Sequence, residues 1–262
     1  MAPTALEPDM TVARYREPGI EIESYTSISD EFAGTHDSWW GVAKMHVKAQ
    51  NHDLPYLIAN ELICCRLAAA LGLPVLPGEV AKHPDGRQCW VTPQISQAGM
   101  TVPPTRESEI LGQYASTVAG AFVFDCWVLN EDRHEENFLF HPVLGMWLID
   151  HDNALAGNDG ARFETFAARF DMPLDWHGFS AAALPQQALE FWCWRVQSVP
   201  DAAIDLALGE VSARGLMQKS RTATLRRLLR SRRESIAGLV RQSLAQTRTD
   251  VASEIQLSFD PA

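Results

Sequence analysis

The 262-residue sequence lacks several features that identify large classes of protein. It contains no apolar run near the roughly 18 residues that a membrane-spanning helix needs, so we expect no membrane segment. Residues 1–9 hold no basic segment followed by an apolar core, which argues against a secretory leader. No repeat with a period of about 20 to 50 residues is present, which excludes solenoids and propellers.

Positive charge and clustered cysteines are also scarce. Lys and Arg number 22 against 33 Asp and Glu, which gives a net charge of −11. Nucleic acids and anionic membranes select basic surfaces, so direct nucleic-acid binding is not expected. The arginines at 226–233 lie on the last predicted helix, which runs towards Ala245, and should form salt bridges on an exposed face. The five cysteines form no C-x-x-C pair and lie in apolar stretches, which predicts reduced core thiols in a cytoplasmic protein.

Turn signals divide the sequence into a first part with strands and a second part that is mostly helical. A helix is predicted over 54–71, because Asp53 is a suitable N-cap and Gly72, followed by Pro74, ends the apolar pattern. Runs of branched and aromatic residues predict strands. The predicted strands cover residues 39–47, 75–80 and 88–92.

The polar stretch 93–107 carries three prolines and predicts a linker between two lobes. Residues 1–92 would then form a small N-lobe with strands and one helix. Residues 108–245 would form a larger helical C-lobe, which begins with an apolar helix over 108–129. Residues 246–262 are polar and are expected to form a loose tail. Together these elements predict an α+β fold with two lobes.

One segment carries a pattern that indicates chemistry. A polar loop over 130–137 leads into the apolar run Phe138–Phe140, a turn follows, and a second apolar run ends at Asp150. The pattern predicts a β-hairpin, in which Asp132 and Asn137 lie before the first strand and Asp150 lies after the second. Because the strands are antiparallel, these three side chains should converge at one end of the hairpin.

Carboxylate and amide oxygens are the ligands that Mg²⁺ prefers, usually one or two of them together with phosphate oxygens and water. Phosphoryl transfer requires placed metal ions, neutralised charge and an oriented hydroxyl nucleophile. Asp132 is therefore the candidate that orients or deprotonates the nucleophile, while Asn137 and Asp150 are candidate metal ligands. Asp152 is either a second metal ligand or the N-cap of the segment that follows.

Two charged residues near this loop have structural interpretations. Asp125 lies in the middle of a predicted helix and would be costly to bury without a partner, so we expect it to pair with Arg133. Arg133 and His134 are expected to hold the loop through hydrogen bonds to backbone carbonyls and to the metal-binding aspartate, and direct contact with phosphate is the alternative. Neither interpretation requires that these side chains contact a substrate.

The interval from Asp132 to Asn137, D-x-x-x-x-N, matches the catalytic loop of protein kinases, and Asp150 follows an apolar strand as their metal-binding aspartate does. The wording N-x-D-R-H-x-x-N-F followed by W-L-I-D-H-D is similar to HipA-like kinases and, more distantly, to phosphatidylinositol 3-/4-kinases. The resemblance implies a two-lobed protein-kinase-like fold that uses ATP and Mg²⁺. It also implies protein Ser/Thr as the acceptor of the γ-phosphate, with a protein substrate and an antitoxin as candidate partners.

The same resemblance extends to residues 59–75, where A-N-E-L-I is followed by R-L and L-G-L-P-V. It implies that Glu61 braces an ATP-binding lysine, for which Lys48 and Lys44 are both candidates. The number of residues between the lysine and Glu61 that is usual in the family favours Lys48, whereas the V-A-K motif favours Lys44. Both lysines would fall on one face of a continuous strand. No G-x-G-x-x-G precedes this strand, so the turn that ends at Ser38 would contact phosphates through backbone N–H groups and hydroxyls.

The sequence leaves two other functions open. A metal-dependent phosphohydrolase of the HD type would use His151 and Asp152 together with His134 and His141. Such sites present these residues from helices, whereas here the His151-Asp152 pair follows a strand. A kinase-shaped binding module without turnover would explain the missing Gly-rich loop, although all three metal-site residues are present. Metal-dependent nucleotide binding separates a kinase fold from a hydrolase, and phosphate transfer separates an active kinase from a binding module.

Overall fold

The computed structural model describes residues 20–27, 38–97, 100–101, 106–141, 144–165, 170–175 and 183–257. The strands are β1 (Ile22–Ser27), β2 (Trp39–Ala43), β3 (Met45–Ala49), β4 (Glu79–Lys82), β5 (Gln88–Pro93), β6 (Ser96–Gln97), β7 (Met100–Thr101), β8 (Phe138–His141) and β9 (Gly145–Leu148). The helices are α1 (Leu57–Leu71), α2 (Glu107–Val128), α3 (Gln186–Gln197), α4 (Asp201–Ala213) and α5 (Lys219–Leu257). This mixture of small sheets and helices confirms the α+β class.

Helix α1 begins at Leu57, later than the sequence predicts. Asp53 is not its N-cap, because Tyr56 occupies that position and provides no side-chain cap. The predicted end is confirmed: Gly72 has a left-handed backbone (φ 81°), and its N–H group reaches the carbonyls of the last turn. Most of α1 is buried, so its apolar residues pack on several sides of the helix and not on a single face.

The strand predicted over 39–47 is in fact two strands that break at Lys44. Strand β2 pairs with β1 in an antiparallel hairpin, whereas β3 pairs with β5, the central strand of the sheet β3–β5–β4. At the break, the carbonyl of Lys44 accepts a hydrogen bond from Gln94 N (3.1 Å). The strand predicted over 75–80 lies later in the chain, because β4 covers Glu79–Lys82. The strand predicted over 88–92 is confirmed as β5.

The second part of the chain is mainly helical, as predicted. Helix α2 packs against α3 and α5, and α4 packs against α1 and α5, so one buried hydrophobic cluster runs through all five helices. Helix α5 continues to Leu257, beyond its predicted end near Ala245 and into the segment 246–262 that the sequence assigns to a loose tail.

The arginines of α5 have two different environments. Three of them form salt bridges with two aspartates of α4, which confirms the predicted ion pairs. The N···O distances are 2.7 to 3.1 Å for Arg226, Arg230 and Arg233 with Asp201 and Asp205. Arg232 differs because it is fully buried, and its guanidinium donates hydrogen bonds to backbone carbonyls at the end of α2, including Trp127 O.

All five cysteines are buried and none is in a disulfide, as the sequence predicts. Burial raises the pKa of Cys126 to about 12 and that of Cys193 to about 11, and it also raises the pKa of Cys64. None of the helices in the described part of the chain combines the length and apolar character needed to cross a membrane.

The packing of α2 against α3 depends on the absence of a side chain at Gly120. A Cβ there would lie 2.6 Å from Trp192 Cε2 and 2.7 Å from Leu73 Cδ2, closer than carbon atoms pack. We expect Gly120→Ala to reduce the free energy of unfolding by about 1–3 kcal/mol, because neighbouring side chains must shift. Gly112→Ala, on the same helix with no described heavy atom within 4 Å, should instead increase it by about 0.5–1 kcal/mol. Chemical denaturation measures both, and equal effects would contradict the packing argument.

Candidate functional site

A cavity of about 640 Å³ lies between strands β3 and β5, helix α1 and the hairpin β8–β9. This volume is within the usual range of sites that bind small molecules. The apolar lining includes Met45, Val75, Trp90, Ile95, Leu139 and Ile149. The polar lining includes Lys48, Glu61, His134, Asn137 and Asp150. The cavity can therefore hold a ligand that has both an apolar part and a charged part.

The ammonium group of Lys48 lies within a cluster of carboxylates in this cavity. Lys48 Nζ is 2.8 Å from Glu61 Oε1, 2.5 Å from Asp150 Oδ1 and 3.8 Å from Asp152 Oδ2. Strand β3 provides the lysine, the buried α1 provides Glu61, and the chain after β9 provides the two aspartates. One positive charge among three carboxylates leaves excess negative charge, which favours binding of a further cation.

The structure separates the other two predicted nucleotide-binding residues from this cluster. Lys44 is largely exposed (68%), and its Nζ lies 3.5 Å from Glu23 Oε1. The expectation that Lys44 shares a strand face with Lys48 is wrong, because the strand breaks at Lys44. Ser38 is an exposed residue before β2 and lies outside the cavity lining. Residues 34–37, the rest of the predicted phosphate-binding turn, are outside the described part of the chain.

The buried side chain of Arg133 holds the loop between α2 and β8. Its Nε and Nη2 atoms donate hydrogen bonds to the Asp125 carboxylate at 2.9 and 3.1 Å, which confirms the predicted pair. Its Nη1 atom donates to Asn137 O (2.9 Å) and Ile149 O (2.8 Å). Arg133 therefore joins the loop to the strand that precedes Asp150.

The predicted hairpin is confirmed, and it brings Asn137 and Asp150 to the same end. Strand β8 pairs with β9, and Ile149 N donates a hydrogen bond to Asn137 O (3.1 Å). The side-chain amide of Asn137 donates to Asp132 O (2.7 Å), which fixes the shape of the loop. Asp132 itself is exposed, and it is close enough to Asp152 for its charge to contribute to the raised pKa of that residue.

The backbone after β9 has an unusual conformation that α1 stabilises. Asp150 has a left-handed backbone (φ 59°), which is uncommon for a residue other than glycine. The N–H group of the buried His151 donates a hydrogen bond to Glu61 Oε2 (3.2 Å). The sequence does not predict a role for Asn60 in this site. Its side-chain amide donates hydrogen bonds to Asp152 O and Ala154 O. The signals in the sequence are the place of Asn60 in the A-N-E-L-I motif and its polarity in a helix that carries only two charged residues, Glu61 and Arg66.

The charges in the cluster shift three pKa values. Burial alone would lower the pKa of Lys48, but the charges of Glu61 and Asp150 outweigh it and raise this pKa. Burial would raise the pKa of Glu61, but hydrogen bonding with His151 and the charge of Lys48 lower it to about 2. Burial and the neighbouring Asp150 raise the pKa of Asp152 to about 6. Lys48 and Glu61 thus form a permanently charged pair.

The donor atoms near Lys48 suit a hard divalent cation. Asn137, Asp150 and Asp152 offer amide and carboxylate oxygens, which Mg²⁺ prefers to nitrogen or sulfur. Within the described residues, no group of three or more His, Cys, Asp and Glu side chains is arranged to hold a metal ion by itself. Mg²⁺ is commonly held by one or two carboxylates, with phosphate oxygens and water completing its shell. The residues present fit that type of site.

No known protein-family model matches the sequence, and no curated protein sequence matches it. Among solved structures, the fold is similar to that of the proinflammatory kinase CtkA of Helicobacter pylori, with a TM-score of 0.52 and 11% identity over 87% of this chain and 96% of that chain. The HipA protein of Shewanella oneidensis, solved with HipB and operator DNA, is similar at a TM-score of 0.45 and 14% identity over 79% of this chain and 62% of that chain. The chain therefore shares the fold of a solved kinase, in agreement with the kinase-like fold that the sequence resemblance implies.

Proposed function

We propose that the chain is an ATP-dependent kinase, which binds ATP with Mg²⁺ in the cavity and transfers the γ-phosphate to a hydroxyl group. The observation that carries this proposal is the contact of Lys48 with both Glu61 and Asp150 inside a cavity of about 640 Å³. The fold shared with a solved kinase supports it. The strand-rich residues 1–92 and the helical residues 108–245 would form the two lobes, joined by residues 93–107.

In this proposal, separate parts of the nucleotide would contact separate parts of the cavity lining. The apolar side chains Trp90, Ile95 and Leu139 would enclose the base, since flat apolar groups pack favourably against such walls. Lys48 would contact the phosphates, and Glu61 would hold the lysine in place from the buried helix α1. The charge of Lys48 is preserved at neutral pH, because Glu61 and Asp150 raise its pKa.

Asn137, Asp150 and Asp152 would hold the metal, and Asp132 would act on the acceptor. When bound, ATP with Mg²⁺ supplies a γ-phosphate whose bond to ADP breaks as a bond to the acceptor oxygen forms. Asp132 would orient the acceptor hydroxyl and accept the proton that it loses, since its carboxylate is exposed at the end of the loop. The resemblance to HipA-like kinases supports a protein Ser or Thr as acceptor and an antitoxin partner, and the five buried free thiols support a cytoplasmic location.

The phosphohydrolase alternative receives no support from the histidine contacts. His151 is buried, its backbone N–H donates to Glu61, and its ring packs edge-on against Phe124 at 5.8 Å between centroids. That environment is apolar on one side and gives His151 a structural contact with α1. The binding-module alternative shares the same cavity, so only a measurement of phosphate transfer separates it from an active kinase.

Titration of the protein with ATP, with and without Mg²⁺, tests the proposal, and the two lysines provide a matched pair of variants. We expect Lys48→Met to weaken Mg²⁺-dependent binding of ATP by about tenfold to a hundredfold, because a hydrogen bond to a charged group is lost. Lys44→Met should leave the affinity unchanged, since Lys44 contacts Glu23 outside the cavity. Calorimetry measures both affinities, and circular dichroism checks that each variant is folded. Absence of ATP binding by the wild type, or equal losses in the two variants, would overturn the proposed site.

A further inference from the structure

Asn60 makes two hydrogen bonds that link α1 to the chain after Asp150. Its side chain is almost fully buried (1% exposed). The amide nitrogen donates to Asp152 O at 2.7 Å and to Ala154 O at 3.0 Å. Among the described residues, its Oδ1 atom has no hydrogen-bond partner. The side-chain N–H groups of Asn60 therefore both bind the backbone between Asp152 and Ala154.

The next residue of α1 binds the same segment. Glu61 Oε2 accepts a hydrogen bond from His151 N (3.2 Å), while Glu61 Oε1 contacts Lys48. Two consecutive side chains of α1 thus hold three backbone groups of residues 151–154. The segment begins immediately after Asp150, whose left-handed backbone is unfavourable for a residue with a side chain and persists only if its surroundings enforce it.

We propose that Asn60 is a positioning residue that holds the backbone of residues 151–154 and thereby sets where the carboxylates of Asp150 and Asp152 lie. This inference rests on the proposed function, because it assigns Asn60 to the metal site of that kinase. Asn60 itself does not touch the cavity, so it acts through the segment. Its loss should raise the Mg²⁺ concentration that ATP binding requires and should leave the binding of ATP without Mg²⁺ unchanged.

The variant Asn60→Asp separates hydrogen bonding from packing. Asp has the same size as Asn but cannot replace its two N–H donors: an ionised Asp presents only acceptors to the carbonyls of Asp152 and Ala154, and a protonated Asp keeps a single O–H for both. Asn60→Ser keeps one donor and should restore part of the function. Asn51→Asp is a matched control: Asn51 is exposed and its Oδ1 accepts a hydrogen bond from Leu54 N, a role that Asp retains.

Two measurements test the proposal, one of which needs no nucleotide. Hydrogen exchange of the ligand-free protein should show faster exchange of peptides that span residues 150–155 in Asn60→Asp, by about tenfold or more. Calorimetric titration with ATP at several Mg²⁺ concentrations should show a Mg²⁺-dependent affinity lowered by about tenfold, with the affinity in the absence of Mg²⁺ unchanged. Asn51→Asp should match the wild type in both measurements.

The two measurements separate failure of this inference from failure of the proposed function. A wild type that does not bind ATP would overturn the proposed function, and hydrogen exchange would still decide whether Asn60 holds the segment. Wild-type exchange and affinity in a folded Asn60→Asp protein would overturn the inference. Equal losses of affinity with and without Mg²⁺ would also overturn it, because they indicate a general packing defect. If Asn60→Asp does not fold, Asn60→Ala, which removes both donors without adding a charge, replaces it, and Asn60→Ser should then show the smaller loss.

Discussion

The variant Asp132→Ala is expected to lose phosphate transfer while it still binds ATP in the presence of Mg²⁺. Removal of a general base typically slows a reaction by about 10² to 10⁴. The loop itself should survive the substitution, because Asn137 binds the backbone carbonyl of Asp132 and Arg133 binds the carboxylate of Asp125. Neither contact uses the side chain of Asp132. Transfer of labelled phosphate to a protein acceptor measures the loss, and calorimetry measures the retained binding.

The variant Asp150→Ala provides the contrasting outcome in the same pair of measurements. Asp150 contacts Lys48 directly and is proposed to hold Mg²⁺, so its loss should weaken the Mg²⁺-dependent binding of ATP itself. If Asp132→Ala and Asp150→Ala lose binding equally while both remain folded, the separate roles assigned to them are wrong. If the wild type binds ATP with Mg²⁺ but transfers no phosphate to any acceptor, the chain is the binding module considered above.

The second large effect is expected at the buried ion pair behind the loop. Arg133 is 1% exposed and Asp125 is fully buried, so Arg133→Met would leave a carboxylate without its cation in the interior. Removal of one partner of a buried pair typically costs about 3–5 kcal/mol. At about 2–4 °C for each kcal/mol in a protein of this size, the melting midpoint should fall by about 10 °C. Scanning calorimetry or thermal circular dichroism measures the shift.

A surface pair and a double variant serve as controls for this prediction. Arg87→Met removes a partner from the exposed pair Arg87–Asp85 and should leave the midpoint essentially unchanged, since such pairs are screened by water. In Asp125→Leu combined with Arg133→Met, no charge is left unpaired, so this protein should be more stable than Arg133→Met alone. Recovery should be incomplete, because the carbonyls of Asn137 and Ile149 still lose their donor. A midpoint for Arg133→Met equal to that of Arg87→Met would contradict the argument.

The sequence predicts the parts of the site that are formed by residues close to one another along the chain. Asp132, Asn137 and Asp150 lie within one loop and one hairpin, and alternation of apolar runs with a turn is sufficient to predict that arrangement. The pairing of Lys48 with Glu61 is implied by the family resemblance, which leaves Lys44 as a second candidate, and the structure shows the contact for Lys48. The buried pair of Asp125 and Arg133 follows from the cost of burying a lone charge.

The parts that the sequence does not reveal depend on contacts between distant residues. The strand break at Lys44 coincides with a hydrogen bond from Gln94, and that contact is set by the register of β3 against β5. The role of Asn60 depends on carbonyls more than 90 residues away, with which it shares no periodic pattern. Asp53 is a residue type that commonly caps helices, but the helix begins beyond Pro55, at Leu57. Local propensity alone does not decide such a boundary.

The burial of every cysteine makes the thiols internal reporters of local opening. The five cysteines lie in four elements, with Cys64 and Cys65 in α1, Cys89 in β5, Cys126 in α2 and Cys193 in α3. A buried thiol whose pKa is raised does not react with an alkylating reagent until its surroundings open, so its labelling rate follows the frequency of that opening. The alkylation rates of these thiols in the unsubstituted chain should therefore report separately on local opening around the strand β5 and on local opening around the helices.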